Sequence, residues 1–183
     1  MKMRIATSTL IASLSLSLAT PALPQSFEQA VEDNMRLGLR LCLLDAPGHE
    51  AWAQAFRDAG FAEQVERSSV NSDTTHTFTG PADTVSIELY YGEMPEFCSP
   101  SSTHLGVAGA NAILDAVVPA RYPGYVRFVT TGPVDPATGQ PVECVRYEDP
   151  TNPIGHVVGV ISLDGEAGCV ANGTSRFYSS YRV

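Results

Sequence analysis

Four cysteines, Cys42, Cys98, Cys144 and Cys169, constrain this chain more than any other feature. Two disulfides between them admit only folds that bring distant segments within one bond length of each other. Such bridges need an oxidising compartment, and the N-terminus argues for one. The chain opens Met-Lys-Met-Arg and then carries no charge from Ile5 to Phe27. A short basic start, an apolar stretch from Leu10 to Ala19 and the small residues Ala19-Thr20-Pro21-Ala22 have the form of a secretory signal peptide cut after Ala22. Serines and threonines interrupt the leucines, whereas a spanning helix wants about twenty predominantly apolar residues. The expectation is an exported protein, periplasmic or secreted. Residues 1–22 form its signal peptide, residues 23–183 one α+β domain, and no membrane span remains after cleavage.

The elements follow from periodicity. Ser26-Phe-Glu-Gln29 has the pattern of a capping box. Phe27, Val31, Met35, Leu39 and Cys42 then recur at helical spacing, which predicts a helix to about Leu44 with Cys42 on its inner face. Pro47-Gly48 breaks the chain, and a second helix is predicted from His49 to Ala59, with Trp52, Ala55, Phe56 and Ala59 inward and Gly60 as its stop. Thr74 to Thr79 and Thr84 to Tyr91 read as strands, the second alternating Val85, Ile87, Leu89 and Tyr91 on one face. Gly92 to Ser102 reads as a loop. A third helix is predicted from Thr103 to Val118, ended by Pro119, with Ser101, Ser102 and Thr103 as competing N-caps. Strands are predicted at 125–131, 142–148, 156–163 and 174–182, with turns at Asp135–Gly139 and Asp164-Gly165.

The predicted fold class is therefore α+β: two N-terminal helices, a mainly antiparallel curved sheet of five to six strands and one inserted helix, stapled by two disulfides. Four cysteines allow three pairings. Packing favours Cys42 with Cys98, joining the inner face of the first helix to the segment ahead of the third, and Cys144 with Cys169, a short cross-strand staple.

The stretches "LGLRLCL", "FRDAGF", "ADTVSIEL" and "THLGVAGA" resemble segments of a set of small exported alphaproteobacterial proteins. The order of helices and strands is similar to that of the nuclear transport factor 2-like superfamily, whose curved antiparallel sheet wraps on three helices. The first resemblance implies export and a shared fold, the second a cone-shaped sheet. Neither implies a catalytic residue.

Charge removes several function classes. Lys2 is the only lysine, so beyond residue 22 the bases are nine arginines against 20 acids. Schiff-base chemistry, a P-loop lysine and Ser-Lys dyads all need an ammonium group that is not there. An acidic chain also lacks the phosphate-neutralising surface of a nucleic-acid binder. A zinc site is not indicated: Cys98 and His104 are the nearest Cys–His pair, and His49-Glu50 is followed at position 53 by Ala, not His. No G-x-S-x-G occurs, and Cys98 is read as half of a bridge, not as a nucleophile.

No catalytic set is recognisable, no metal site or cofactor is expected, and the partner is unknown. The leading expectation is a non-catalytic ligand- or partner-binding domain. One alternative is a small enzyme with an acid–base pocket between sheet and helices, drawing on Tyr90, Tyr178, His104 or His156. The other is a structural component of the cell envelope. The candidate ligand-binding residues are Arg176, Tyr178 and Arg182, which share one face of the last predicted strand, and His104 at the start of the third helix. An Arg-Tyr-Arg row suits a small anionic or planar ligand.

Overall fold

The computed structural model describes residues 25–45, 48–92, 96–152, 155–163 and 168–181. The predicted signal peptide, Arg182 and the predicted Asp164-Gly165 turn lie outside the described residues. In chain order the elements are α1 (Phe27–Cys42), α2 (His49–Asp58), β1 (Ala62–Arg67), β2 (Thr74–Thr79), β3 (Ser86–Tyr91), β4 (Phe97–Ser102), α3 (Val107–Arg121), β5 (Val126–Val134), β6 (Pro141–Glu148), β7 (His156–Ile161) and β8 (Ser175–Tyr181).

The expected sheet of five to six strands is overturned. Among the described residues three helices accompany one eight-stranded sheet, ordered β1-β2-β3-β4-β8-β7-β6-β5 with every pairing antiparallel. The class remains α+β. Two four-stranded meanders, β1–β4 and β5–β8, are joined by α3, and their last strands β4 and β8 pair at Ser101–Arg176 and Ser102–Ser175. One continuous sheet thereby replaces two edges that would otherwise expose unpaired backbone.

The two strands that periodicity did not reveal have physical reasons for hiding. β1, AEQVER, lies at the sheet edge with mostly exposed side chains, so it carries no apolar alternation. β4, FCSPSS, contains a proline and three serines, a composition typical of loops. Its hydroxyls bond backbone carbonyls of β8, of β3 and of the segment just ahead of β3 instead of capping a helix. Ser99 Oγ donates to Phe177 O (2.9 Å), Ser101 Oγ to Ser86 O (3.1 Å) and Ser102 Oγ to Thr84 O (2.8 Å). The third helix accordingly starts at Val107, capped by Gly106 without a side-chain bond, and runs through Pro119 to Arg121. Pro119 removes one backbone bond, the one its N–H would make to Asp115 O, and the last turn is still closed by Tyr122 N onto Val118 O at 2.7 Å.

At the first helix, Ser26 Oγ accepts from Gln29 N at 3.2 Å. Val31, Met35, Leu39 and Cys42 are buried, but Phe27 is 45% exposed and stands edge-on to His104 outside the core. The helices share one face of the sheet. α1 packs on α3 and β4, and α3 on β6, β7 and β8. Their apolar faces meet Ile87, Leu89, Val145, Val158, Val160 and Phe177 in one core. Cys42 is bonded to Cys98 and Cys144 to Cys169. The first bridge ties the end of α1 to β4; the second ties β6 to the segment ahead of β8.

Candidate functional site

One end of the sheet is where several chain segments stop or start together. The end of α1, the start of α2, the start of β4, the end of α3, the start of β7 and β8 surround a cavity of about 380 Å³. The Cys42–Cys98 bridge lies in its wall and holds two of these segments in place.

Four aromatic residues, Trp52, Phe97, Tyr122 and Tyr125, stand in the wall, and each ring is held. Trp52 Nε1 donates to Leu41 O at 2.6 Å, which fixes the indole of α2 against the last turn of α1. After α3, Tyr122-Pro123-Gly124-Tyr125 makes a turn closed by Tyr125 N donating to Tyr122 O at 3.0 Å. Pro and Gly at its centre stop the helix and bring the two phenol rings into a stack, with centroids 4.7 Å apart and planes at 16°. The Arg121 guanidinium lies 5.3 Å from the Tyr122 ring centroid and donates to Asp45 and to Leu43 O, tying α3 to the end of α1. Phe97 stacks on Tyr90 at 5.3 Å.

Four of the polar side chains form two pairs, His156 with Ser179 and His49 with Glu96. His156, on the first residue of β7, presents its edge to both phenol rings at 5.7 and 6.1 Å. Its Nδ1 is 3.3 Å from Tyr125 Oη, and its Nε2 is 2.6 Å from Ser179 Oγ. The β7–β8 register explains the second contact. Ser179 pairs with Val158, two residues along from His156, so the two side chains are diagonal neighbours on the same face. Burial holds the imidazole below its ordinary pKa, so it is neutral at neutral pH. At the mouth, His49 Nδ1 is 3.3 Å from Glu96 Oε1, and the His49 ring lies 4.0 Å from that of Tyr91. Tyr91 Oη donates to His49 O at 3.0 Å, and burial together with nearby carboxylates raises its pKa well above the ordinary phenol value.

A neutral imidazole carries one N–H, and its two nitrogens play different roles. In the tautomer protonated at Nδ1, that N–H donates to Tyr125 Oη and Nε2 accepts the Ser179 hydroxyl proton. The arrangement can bind a ligand's donor or acceptor, and it can take a proton from a hydroxyl.

The candidates read from the last strand lie elsewhere. Arg176 and Tyr178 point to the opposite face of the sheet from the helices, alternating with Phe177 and Ser179. Tyr178 covers Gly159 on β7, and burial raises its pKa. Arg176 Nε is buried without a hydrogen-bond partner among the described residues. His104 is exposed beside Phe27 and sits before α3, not in its first turn. These residues do not converge on one site. Of the acid–base set Tyr90, Tyr178, His104 and His156, only His156 lines the cavity.

Sequence reasoning missed Ser179, Tyr122, Tyr125 and the wall position of Trp52. The Tyr-Pro-Gly-Tyr turn was a usable signal, because two aromatics flank a chain reversal there. A larger, more open groove lies between α3 and the β5–β6 hairpin. Its chief polar groups are already committed to structure. Asn111 bonds the backbone of β6, and Asp115 accepts from Arg127 and Tyr147. No family model, curated protein or solved structure matches the chain, so its function has to be read from the cavity.

Proposed function

We propose that this is an exported protein that binds a small, neutral, partly aromatic molecule in the cavity at the end of the sheet. The observation that carries the reading is the aromatic wall of Trp52, Phe97, Tyr122 and Tyr125 around the polar pair His156 and Ser179. Ligand sites are concave and carry a few placed polar groups, with volumes of roughly 300–1,000 Å³. A cavity of about 380 Å³ suits one ring and its substituents. Asp45 and Glu96 at the mouth disfavour anions, and a neutral His156 supplies no countercharge. The leader-like N-terminus and the two disulfides support export.

Trp52 is the chain's single tryptophan, so its fluorescence reports on the cavity alone. Titration with a panel of neutral monocyclic aromatics should change that emission and raise the melting temperature. A compound at a hundred times its dissociation constant stabilises the fold by about 2.7 kcal/mol. Tyr125→Ala should weaken both responses. Emission unmoved by every compound, with no thermal stabilisation, would refute the reading.

A further inference from the structure

The cavity reading names a binding site, and the inference here rests on it and goes one step further. We propose that Ser179 is a nucleophile, His156 its general base, and neutral aryl esters the class of substrate hydrolysed.

The geometry meets the first requirements for such a pair. Nucleophile and base must lie within hydrogen-bond reach, and Ser179 Oγ is 2.6 Å from His156 Nε2. The base must be unprotonated near neutral pH, and its other nitrogen must be oriented. Tyr125 Oη, 3.3 Å from Nδ1, supplies the orientation. Both catalytic side chains are placed by paired β-strands, whose register fixes their separation. Both also line the cavity.

The reaction balances without any oxidant or reductant. Ser179 Oγ attacks the acyl carbon while its proton passes to His156 Nε2. The bond between the acyl carbon and the aryl oxygen then breaks, and the departing phenol takes the proton from Nε2. This leaves an acyl group on Ser179. Water attacks that acyl carbon, His156 Nε2 accepts its proton, the Ser179–acyl bond breaks, and Oγ recovers the proton. The products are a phenol and a carboxylic acid.

The substrate class follows from what surrounds the pair. A carboxylate facing Nδ1 would stabilise the imidazolium formed in the attack. Among the described residues the group facing Nδ1 is the Tyr125 phenol, so the base is weaker and favours a leaving group of low pKa. A phenol is such a leaving group, and the rings of Tyr122, Tyr125 and Trp52 form a wall on which it can stack. The carboxylates of Asp45 and Glu96 at the mouth select against anionic esters.

The test uses the purified full chain with an uncharged fluorophosphonate and, separately, with 4-nitrophenyl acetate. The phosphonate should form one adduct, mapped by peptide mass to Ser179. The acetate should release a burst of nitrophenol as Ser179 is acetylated. Ser179→Ala should abolish both, and His156→Gln should slow both by about 100-fold, the low end for loss of a general base. Site mapping on the unsubstituted protein needs no variant, so the result stands even if Ser179→Ala folds poorly. An unlabelled wild type, an adduct on another residue, or His156→Gln labelling at the wild-type rate would each overturn the proposal. If Trp52 emission still responds to neutral aromatics in those cases, binding survives and hydrolysis falls. If Ser179 is labelled while Trp52 stays silent, hydrolysis holds and the aromatic-ligand reading falls.

Discussion

Arg57 of α2 clasps Glu63 of β1 through two hydrogen bonds, from Nε to Oε2 at 2.8 Å and from Nη2 to Oε1 at 2.9 Å. His76 Nδ1 on β2 approaches the same carboxylate at 2.7 Å, so one acid joins a helix to two strands. The bonds from Arg57 hold the Glu63 carboxyl below the ordinary carboxylate range; burial opposes them and the His76 contact adds to them. A depressed folded pKa means that this contribution is present above the unfolded value of 4.5 and is lost as pH falls through the folded value. Glu63→Gln should cost about 2 kcal/mol at pH 7, as expected for charge-assisted bonds. Urea unfolding at pH 7 and pH 3 checks this: the gap between wild type and variant should narrow at the lower pH.

Asn111 bridges α3 to β6 with both ends of its amide. Nδ2 donates to Glu143 O at 2.7 Å, and Oδ1 accepts from Val145 N at 3.1 Å. Asn111→Ala removes two bonds and leaves two backbone groups of β6 without this partner. The expected loss is about 2 kcal/mol. Hydrogen exchange gives the sharper check, because the Val145 amide should lose protection before its neighbours.

How the sequence conceals part of this molecule is visible at the same helix. Asn111 and Asp115 are polar residues on α3, and both reach the sheet, Asp115 accepting from Tyr147 Oη at 2.8 Å. Periodicity registers apolar burial and is blind to a polar side chain satisfied across an interface. It therefore found the stripe Val31, Met35, Leu39 and the alternation Ile87, Leu89, Tyr91, which are all buried. It missed β4, where serine hydroxyls and the ladder to β3 and β8 do the holding. The cavity was hidden for a related reason. Its residues come from six elements between positions 42 and 179, and the strand register that joins Ser179 to His156 exists only once the sheet is formed.

The Cys42–Cys98 bridge closes a 56-residue separation and stands in the cavity wall. All four cysteines are paired, so denatured but unreduced protein should show no reactive thiol. The double variant Cys42→Ala, Cys98→Ala should lose about 3 kcal/mol of stability. Because α1 and β4 then lose their covalent tie at the cavity, the Trp52 response to ligands should weaken as well, measured below the melting transition of the variant.

Gly159 of β7 lies under the Tyr178 ring, and a Cβ at this position would come within 2.4 Å of ring atoms. Gly159→Ala should destabilise by about 2 kcal/mol, the usual cost of forcing a methyl group into a filled space. Adding Tyr178→Ala should recover part of that loss, because the obstructing ring is gone. A double-mutant cycle on the two substitutions checks the contact, and additive costs would show that the ring yields freely.

His156 ties stability to pH in a window above that of Glu63. Burial lowers its folded pKa, so between the ordinary value of 6.5 and the folded value the unfolded chain binds a proton that the folded chain resists. Stability is therefore full above 6.5 and declines as pH falls through that window. Following the imidazole proton resonances should give His156 a midpoint below 6.5. His156→Gln should remove this part of the pH dependence while leaving the acid limb that belongs to Glu63. The two substitutions together should act additively, since the residues lie at separate sites on the sheet, one on the β7 end of the cavity and the other on the β1 edge.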